Sequence, residues 1–383
     1  MPPPSRLLFI CGSLVPGKDG VGDYCRRLAG ALTDLGVEVR LLAAFDKEVT
    51  EPRRELQEDG GHRLPALRLP FATPAADRDE LLREAIDEFD PDVLSLQYVP
   101  YSFSPYGIPL PFIHRLGRLP VRGDWHVMFH ELWITHRGWR TPKPMAIALL
   151  QRLSVAAVAR SLRPRVVHTH IPGYRERLRR LGITARPLPL FANIGPRPDA
   201  PAPVGDPATF RLGFFSQLIV ERTLGFIADL RAWLRETDGR ALHVVLLGGG
   251  KEKIAEARAL LTEAFPDVSV EAPGFLPADR LSDALRTLDL GITPVDHHLV
   301  GKSGTVSAFL AHGIPVAAPY VTESGSGFFA PEYSDAILRT FAPADYAAAA
   351  AAVGQLDTSI ISAAGVARTF LNDLGDSPAP PHR

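Results

Sequence analysis

Cysteine is nearly absent: Cys11 and Cys25 are the two in 383 residues. Two thiols cannot build a disulfide framework, and their scarcity fits a reducing compartment. Net charge is lacking too. Lys and Arg number 42 against 43 Asp and Glu, a formal charge of -1, which argues against a nucleic-acid partner. No run of 18 consecutive apolar residues occurs, so no membrane-spanning helix is expected. The apolar stretch 7–11 after the opening Met-Pro-Pro-Pro-Ser-Arg is too short for a signal peptide. No GxSxG elbow is present, and HExxH fails because Ile134 stands where the second His belongs and the next is His136. These absences leave a cytoplasmic chain of two domains, or at most three, without serine-nucleophile or zinc-protease machinery.

What is present is an ordinary globular composition, 46% apolar and 22% charged. Apolar runs alternate with helical patterns, the mark of βαβ units and parallel sheets. The spacing predicts strands over 6–11, 37–44, 92–97, 125–129 and 165–169, with helices over 23–35, 77–89 and 142–162. Five prolines within 195–207 predict a semi-rigid connection. The alternation then restarts, with strands over 211–215, 243–247, 268–271, 290–293 and 315–318. Helices are expected over 222–236, 252–265, 278–288, 305–312, 343–353 and 359–373. The expected fold is therefore α/β, with two Rossmann-like domains facing a central cleft: 1–194, a linker over 195–209, and 210–383, whose last helix can pack back on the first domain. Ligands in such sheets bind beyond the carboxyl ends of the strands.

Charge is unevenly spread. Residues 115–186 hold 15 basic residues (14 Arg and Lys143) against Asp124, Glu131 and Glu176, a local excess of +12. Solvated helix faces in an Arg-rich chain account for this; so does an anion-facing surface suited to phosphates or anionic lipid headgroups.

Four segments could carry chemistry. Gly12–Asp23 follows the first strand and opens a helix, where glycines and unpaired N–H groups suit an anion, or simply make a flexible turn. His130-Glu131 ends a strand, and His130 could bond a substrate hydroxyl, act as a base, or be structural. Gly301-Lys302-Ser303-Gly304-Thr305 precedes a helix. Asp296 stands where a Walker A loop needs Gly, yet a Lys, two hydroxyls and a Gly can still cradle a phosphate; a plain helix cap is the other reading. Gln217 to Arg222 and Leu247–Lys251 follow strands of the second half, and a cation at a helix start suggests an anionic partner or a surface Arg. His168-Thr169-His170 and His297-His298 lack carboxylate or Cys partners at metal spacing and are expected to be structural; no metal site is expected.

Taken in order, these segments resemble the GT-B-fold glycosyltransferases, most closely the bacterial retaining "group 1" (GT4-like) enzymes that use nucleotide-sugar donors. The carrying residues are Gly20-Val21-Gly22-Asp23-Tyr24, Asp92–Tyr98 with Gly107, His130-Glu131, Leu246–Gly250, Gly274-Phe275-Leu276-Pro277 and Ala311-His312-Gly313-Ile314-Pro315-Val316. The resemblance covers 6–320. It implies transfer of a hexosyl group from a nucleoside-diphosphate sugar to a hydroxyl acceptor, in cell-surface glycan, glycolipid or natural-product biosynthesis, with no metal and no cofactor beyond the co-substrate. By the same resemblance His130, Arg222 and Lys302 are catalytic. Gly20, Gly22, Gln217, Gly249, Phe275, Leu276, Ser303, Gly304 and Thr305 hold the donor, and Asp23, Tyr98 and Glu131 the acceptor. A phosphorylated or lipid-linked acceptor and peripheral contact at the inner membrane face, through 115–186, are expected. The chain departs from the family in two places: Gln217 replaces one cation of an Arg–Lys pair, and Val300 and Ala308 stand where two Glu belong. These departures keep a non-catalytic nucleotide- or partner-binding protein and a sugar-nucleotide epimerase as alternatives.

Overall fold

The computed structural model describes residues 4–134, 142–197 and 206–376. His136 and most of the Pro-rich connection, 198–205, lie outside them. The chain divides into two compact units. One comprises Met1–His170, Tyr174–Leu188 and Ala363–Arg383; the other comprises Ile171–Gly173 and Pro189–Ser362. The second unit thus ends at Ser362 rather than at the C-terminus, and the helix Ala363–Asp376 belongs to the first.

The first unit is built on β1 (Arg6–Cys11), β2 (Glu38–Asp46), β3 (Arg53–Asp59), β4 (His62–Pro70), β5 (Val93–Tyr98), β6 (Asp124–Phe129), β7 (Val166–Thr169) and β8 (Arg186–Pro187). Their order is β3-β4-β2-β1-β5-β6-β7-β8, parallel throughout except for the β3–β4 hairpin. β1 reads as a continuous apolar run because helices cover both faces of a parallel sheet, and Leu7–Cys11 are buried. The hairpin falls where the sequence pattern predicts no element. Its turn is Gly60-Gly61, both at positive φ (55° and 88°), as a two-residue hairpin loop requires.

The second unit carries β9 (Thr209–Phe215), β10 (Ala241–Leu247), β11 (Ser269–Gly274), β12 (Leu290–Ile292), β13 (Val316–Ala317) and β14 (Ile337–Leu338). All are parallel, in the order β11-β10-β9-β12-β13-β14. Renumbered from β9 this is the doubly wound Rossmann order, whose strand sequence reverses between β9 and β12. The helix expected over 222–236 is instead a 3-10 turn (Val220–Arg222), a helix (Leu224–Trp233) and a widened last turn (Leu234–Asp238). Phe210, Leu212, Phe214, Val244, Leu246, Leu290 and Ile292 fill the core beneath it.

One described helix, Pro142–Leu162, is long and apolar enough by length and composition to cross a membrane. Ala148, Gln151, Ser154, Val155, Ala156, Val158 and Leu162 bury one of its faces.

Candidate functional site

In the first unit the strand order reverses between β1 and β5, and the segments leaving β1, β5, β6 and β7 gather the candidate residues. The loop after β1 is held by carboxylates. Asp46, wholly buried, accepts from the Leu14 N–H (3.1 Å), Ser13 Oγ (3.3 Å), the Glu48 N–H (2.9 Å) and Arg68 Nε (2.8 Å). Asp19 caps the helix Gly20–Asp34 by accepting from the Gly22 N–H at 2.7 Å. Gly22 is glycine for room: a Cβ there would lie 2.7 Å from the Ser13 carbonyl oxygen, whereas one at Gly20 would meet nothing within 4 Å. Asp23 accepts from the Gly17 N–H (3.0 Å) and pairs with buried Arg26, both through Oδ1, so it braces this loop while its side chain stays partly exposed. One expectation needs correction. Tyr98 has no exposed surface and lies among Phe103 and Phe129. Its burial, which drives the phenol far above its usual range, makes it a core residue.

His130 stands at the end of β6, 7% exposed. Its Nε2 lies 2.9 Å from Gln97 Oε1 and its Nδ1 3.0 Å from His170 Nε2; the Tyr24 ring meets it edge-on at 4.8 Å. The imidazole is therefore oriented from both nitrogens. Glu131, half-buried, follows with its N–H toward the Tyr98 carbonyl at 3.5 Å. Sequence reasoning takes His168 and His170 as structural and passes over Gln97. The signal that finds them is strand alternation: His126 and His130 share one face across β6, and His168 and His170 share one across β7.

The second unit places its cation at the reversal of strand order. Arg222 Nη1 donates to the Pro294 carbonyl, just past β12, at 3.2 Å; the guanidinium lies 4.2 Å from the centre of the Tyr320 ring. The group is exposed yet held on two sides. Ser216 follows β9 at φ 69°, a left-handed conformation unusual for a side chain and common at binding loops. Gln217 is exposed. Gly248 and Gly249 follow β10 at positive φ, and a Cβ on Gly249 would meet Leu218 at 2.9 Å. Phe275 follows β11 at 93% exposure, with Leu276 packed on the core.

The Gly-Lys-Ser-Gly-Thr segment needs a further correction. Ser303 is the N-cap of the helix Gly304–Ala311, and its Oγ lies 2.9 Å from Thr305 Oγ1. Both side chains are buried. A Cβ on Gly304 would fall 1.9 Å from Asn193 Oδ1, and one on Gly301 would fall 2.0 Å from the Gly327 carbonyl. These glycines allow close packing, and they do not open a phosphate cradle. Lys302 stays half-buried at the end of the 3-10 segment His297–Lys302. That segment hangs on Asp296, which takes His298 Nδ1 (2.6 Å) and the Thr322 N–H (3.0 Å). Val300 and Ala308 are 1% and 0% exposed within the apolar core, so no carboxylate could be substituted there without burying a charge. Among the described residues no three His, Cys, Asp or Glu side chains converge as a metal site would require.

Residues 19–193 match the family described as "Glycosyl transferase 4-like domain". No curated protein matches the sequence. Among solved structures, sucrose-phosphate synthase from Thermosynechococcus elongatus superposes with a TM-score of 0.56 at 16% identity, covering 97% of this chain and 94% of its own. Anabaena HepE in complex with UDP reaches 0.57 at 12% identity, covering 97% and 99%. WaaG, a glycosyltransferase involved in lipopolysaccharide biosynthesis, reaches 0.51 at 15% identity, covering 96% and 95%. Residues 19–193 thus resemble a glycosyl transferase 4-like domain, and the chain as a whole has the GT-B fold of these solved structures.

Proposed function

We propose that the chain transfers a hexosyl group from a nucleoside-diphosphate sugar to a hydroxyl acceptor, without a metal or a further cofactor. The observation that carries this reading is Arg222: an exposed guanidinium, fixed by a carbonyl and an aromatic ring, at the strand reversal where such sheets bind ligands. The departing diphosphate gains negative charge as the glycosidic bond breaks. A pre-oriented cation stabilises that charge without reorganising in the transition state. Lys302, Gln217 and the Gly249 turn complete the donor side, and Phe275 and Leu276 flank the base. His130, both of whose nitrogens are engaged by Gln97 and His170, contacts the sugar through its ring rather than serving as the acceptor's base, with Glu131 beside it and Gly20 leaving room. HepE's structures hold UDP, one of them with glucose, which supports a uridine donor and a hexose.

The test is a thermal-shift panel with UDP, GDP, ADP, dTDP and CMP. At a hundredfold excess over Kd, one-site binding stabilises by about 2.7 kcal/mol, a rise of a few degrees. One diphosphate should produce this rise, and Arg222→Ala should abolish it. No shift with any nucleotide overturns the donor assignment. The apolar burial of Val300 and Ala308 favours a second reading, a nucleotide binder without transfer; a shift with the donor but no product from any acceptor would establish it.

The helix Pro142–Leu162 exposes Met145 (55%), Leu149 (58%), Leu150 (39%) and Leu153 (46%), with Lys143, Arg152 and Arg160 also exposed along it. An apolar stripe edged by cations is the chemistry of a helix lying on an anionic membrane. We propose that the protein acts in the cytoplasm, peripherally on the inner membrane face, on a lipid-linked or phosphorylated acceptor; the exposed stripe of this helix supports the membrane contact.

A further inference from the structure

Three adjacent strands of the first unit carry a buried polar band. His170 Nδ1 lies 2.9 Å from the Leu188 carbonyl oxygen, and His170 Nε2 lies 3.0 Å from His130 Nδ1. His130 Nε2 is 2.9 Å from Gln97 Oε1, and Gln97 Nε2 is 2.7 Å from Ser95 Oγ. Ser95 Oγ is 2.7 Å from His126 Nδ1, His126 Nε2 is 3.0 Å from His168 Nδ1, and His168 Nε2 is 2.8 Å from Asp373 Oδ2 on the C-terminal helix. Of the linking side chains, Ser95, His126 and His168 are 0% exposed, Gln97 1%, His170 3% and His130 7%.

Both ends of this chain are acceptors, a backbone carbonyl and a carboxylate. Its seven contacts need seven hydrogens. Four neutral imidazoles, one hydroxyl and one amide N–H supply six. The band is complete only with one proton beyond the neutral count, an imidazolium opposite the Asp373 carboxylate. Where that proton sits depends on Gln97. With Oε1 toward His130, the amide N–H runs to Ser95, Ser95 donates to His126, and His126 donates to His168. Both far histidines are then neutral, and the surplus proton belongs to the His130–His170 pair. With the amide turned end for end within the same contacts, each of those donations reverses. His130 and His170 are then neutral, and the proton rests on His168 against Asp373.

We propose that Gln97, Ser95 and His126 form a two-state relay coupling the protonation of His130 to the Asp373 carboxylate, which makes Asp373 a positioning residue for His130. Its functional consequence rests on His130 acting in the transfer site; the proton arrangement does not. Several groups face the band. Tyr24, on the helix Gly20–Asp34, meets His130 and His170 edge-on at 4.8 and 5.7 Å; Phe370 meets His126 at 4.8 Å; Arg186 of β8 pairs with Asp373. Burial holds His126 well below the usual imidazole range and lowers His168 too, against the pull of Asp373. Burial alone would raise the Asp373 carboxyl, but bonds from His168 and Arg186 hold it below its ordinary value. These directions favour the first state, with the charge at the His130 end.

The test is histidine NMR on the full chain without substrate, following each imidazole from about pH 5 to 9, the range in which histidines titrate. Asp373→Asn should lower the His130–His170 midpoint by about one unit. In a Ser95→Ala background, where the relay is cut, the same substitution should move that midpoint at least about threefold less, the coupling that a double-mutant cycle isolates. An equal shift in both backgrounds means that the charge acts through space, and no shift in either means no coupling; each overturns the relay. Should Ser95→Ala not fold, the wild type decides alone: His126 and His168 must report the His130 midpoint, and an independent midpoint overturns the proposal. Because no substrate is present, a protein that transfers nothing can still pass this test, and an active transferase can fail it.

Discussion

Close backbone approach governs the residue scale around the helix Gly304–Ala311. Gly304→Ala and Gly301→Ala should each destabilise by about 1–3 kcal/mol through overpacking, read as lower urea midpoints. Asn193→Ala should relieve the first, whose obstacle is a side-chain oxygen, but nothing nearby can relieve the second, whose obstacle is the Gly327 carbonyl. Gly250→Ala is the control: φ is -75° and a Cβ meets nothing within 4 Å, so stability should change within about 0.5 kcal/mol. Asp46 sets a pH dependence. Burial would raise its carboxyl, but Arg68 and the Glu48 and Leu14 N–H groups outweigh it and hold the group below its ordinary value. A carboxyl depressed on folding stabilises above its unfolded pKa and loses that contribution as pH falls through its folded one. Asp46→Asn should therefore destabilise by about 3 kcal/mol at neutral pH, as breaking a buried pair does. The gap to wild type should close in acid, below about pH 4, and a gap constant with pH would contradict this account.

At the scale of elements, the helix Ala363–Asp376 acts as a lid on the first sheet although it is last in sequence. Phe370, fully buried, lies 6.3 Å from Phe9 and 4.8 Å from His126 between ring centres. Phe370→Ala should lower stability by about 3–5 kcal/mol, and calorimetry should place the loss in the transition of the first unit. A loss confined to the second unit would refute the assignment of this helix. The β3–β4 hairpin is the opposite kind of element. Its edge strand, Arg53–Asp59, is largely charged and has one buried residue, Gln57, a composition that discourages pairing with other chains.

At the scale of the whole molecule, charge is balanced in sum but not in place. Part of the excess in 115–186 is matched locally: Arg115 by Asp79, Arg165 by Asp124, Arg179 and Arg180 by Glu176, and Arg186 by Asp373. The exposed face of Pro142–Leu162 lacks such acids in its own sequence. Co-sedimentation with vesicles rich in anionic lipid should hold at low salt and fall steeply as salt rises. Leu149→Glu with Leu153→Glu should abolish it, since both the buried apolar area and the sign of charge change. Binding that persists in this variant would remove the helix from the contact.

The sequence by itself determined the α/β class and most of the parallel strands, though not β4 nor the two-residue β8 and β14. Buried strands and amphipathic helices write their own periods: β1 and Pro142–Leu162 fall where the pattern predicts. It singled out His130 and Arg222 as candidates and showed apolar residues at 300 and 308. It did not show the hairpin, since alternation in a charged edge strand is weak and only Gly60-Gly61 marked the turn. Nor could it show that Tyr98 is core, that Asp23 braces a loop, or that Gly304 admits Asn193, since each depends on a neighbour from elsewhere in the chain. The histidine band is the clearest case. His126 and His168 lie 42 residues apart, and Asp373 follows His168 by 205. Strand alternation places the imidazoles on one face, but only tertiary packing brings a carboxylate to its end and, with it, a count of protons.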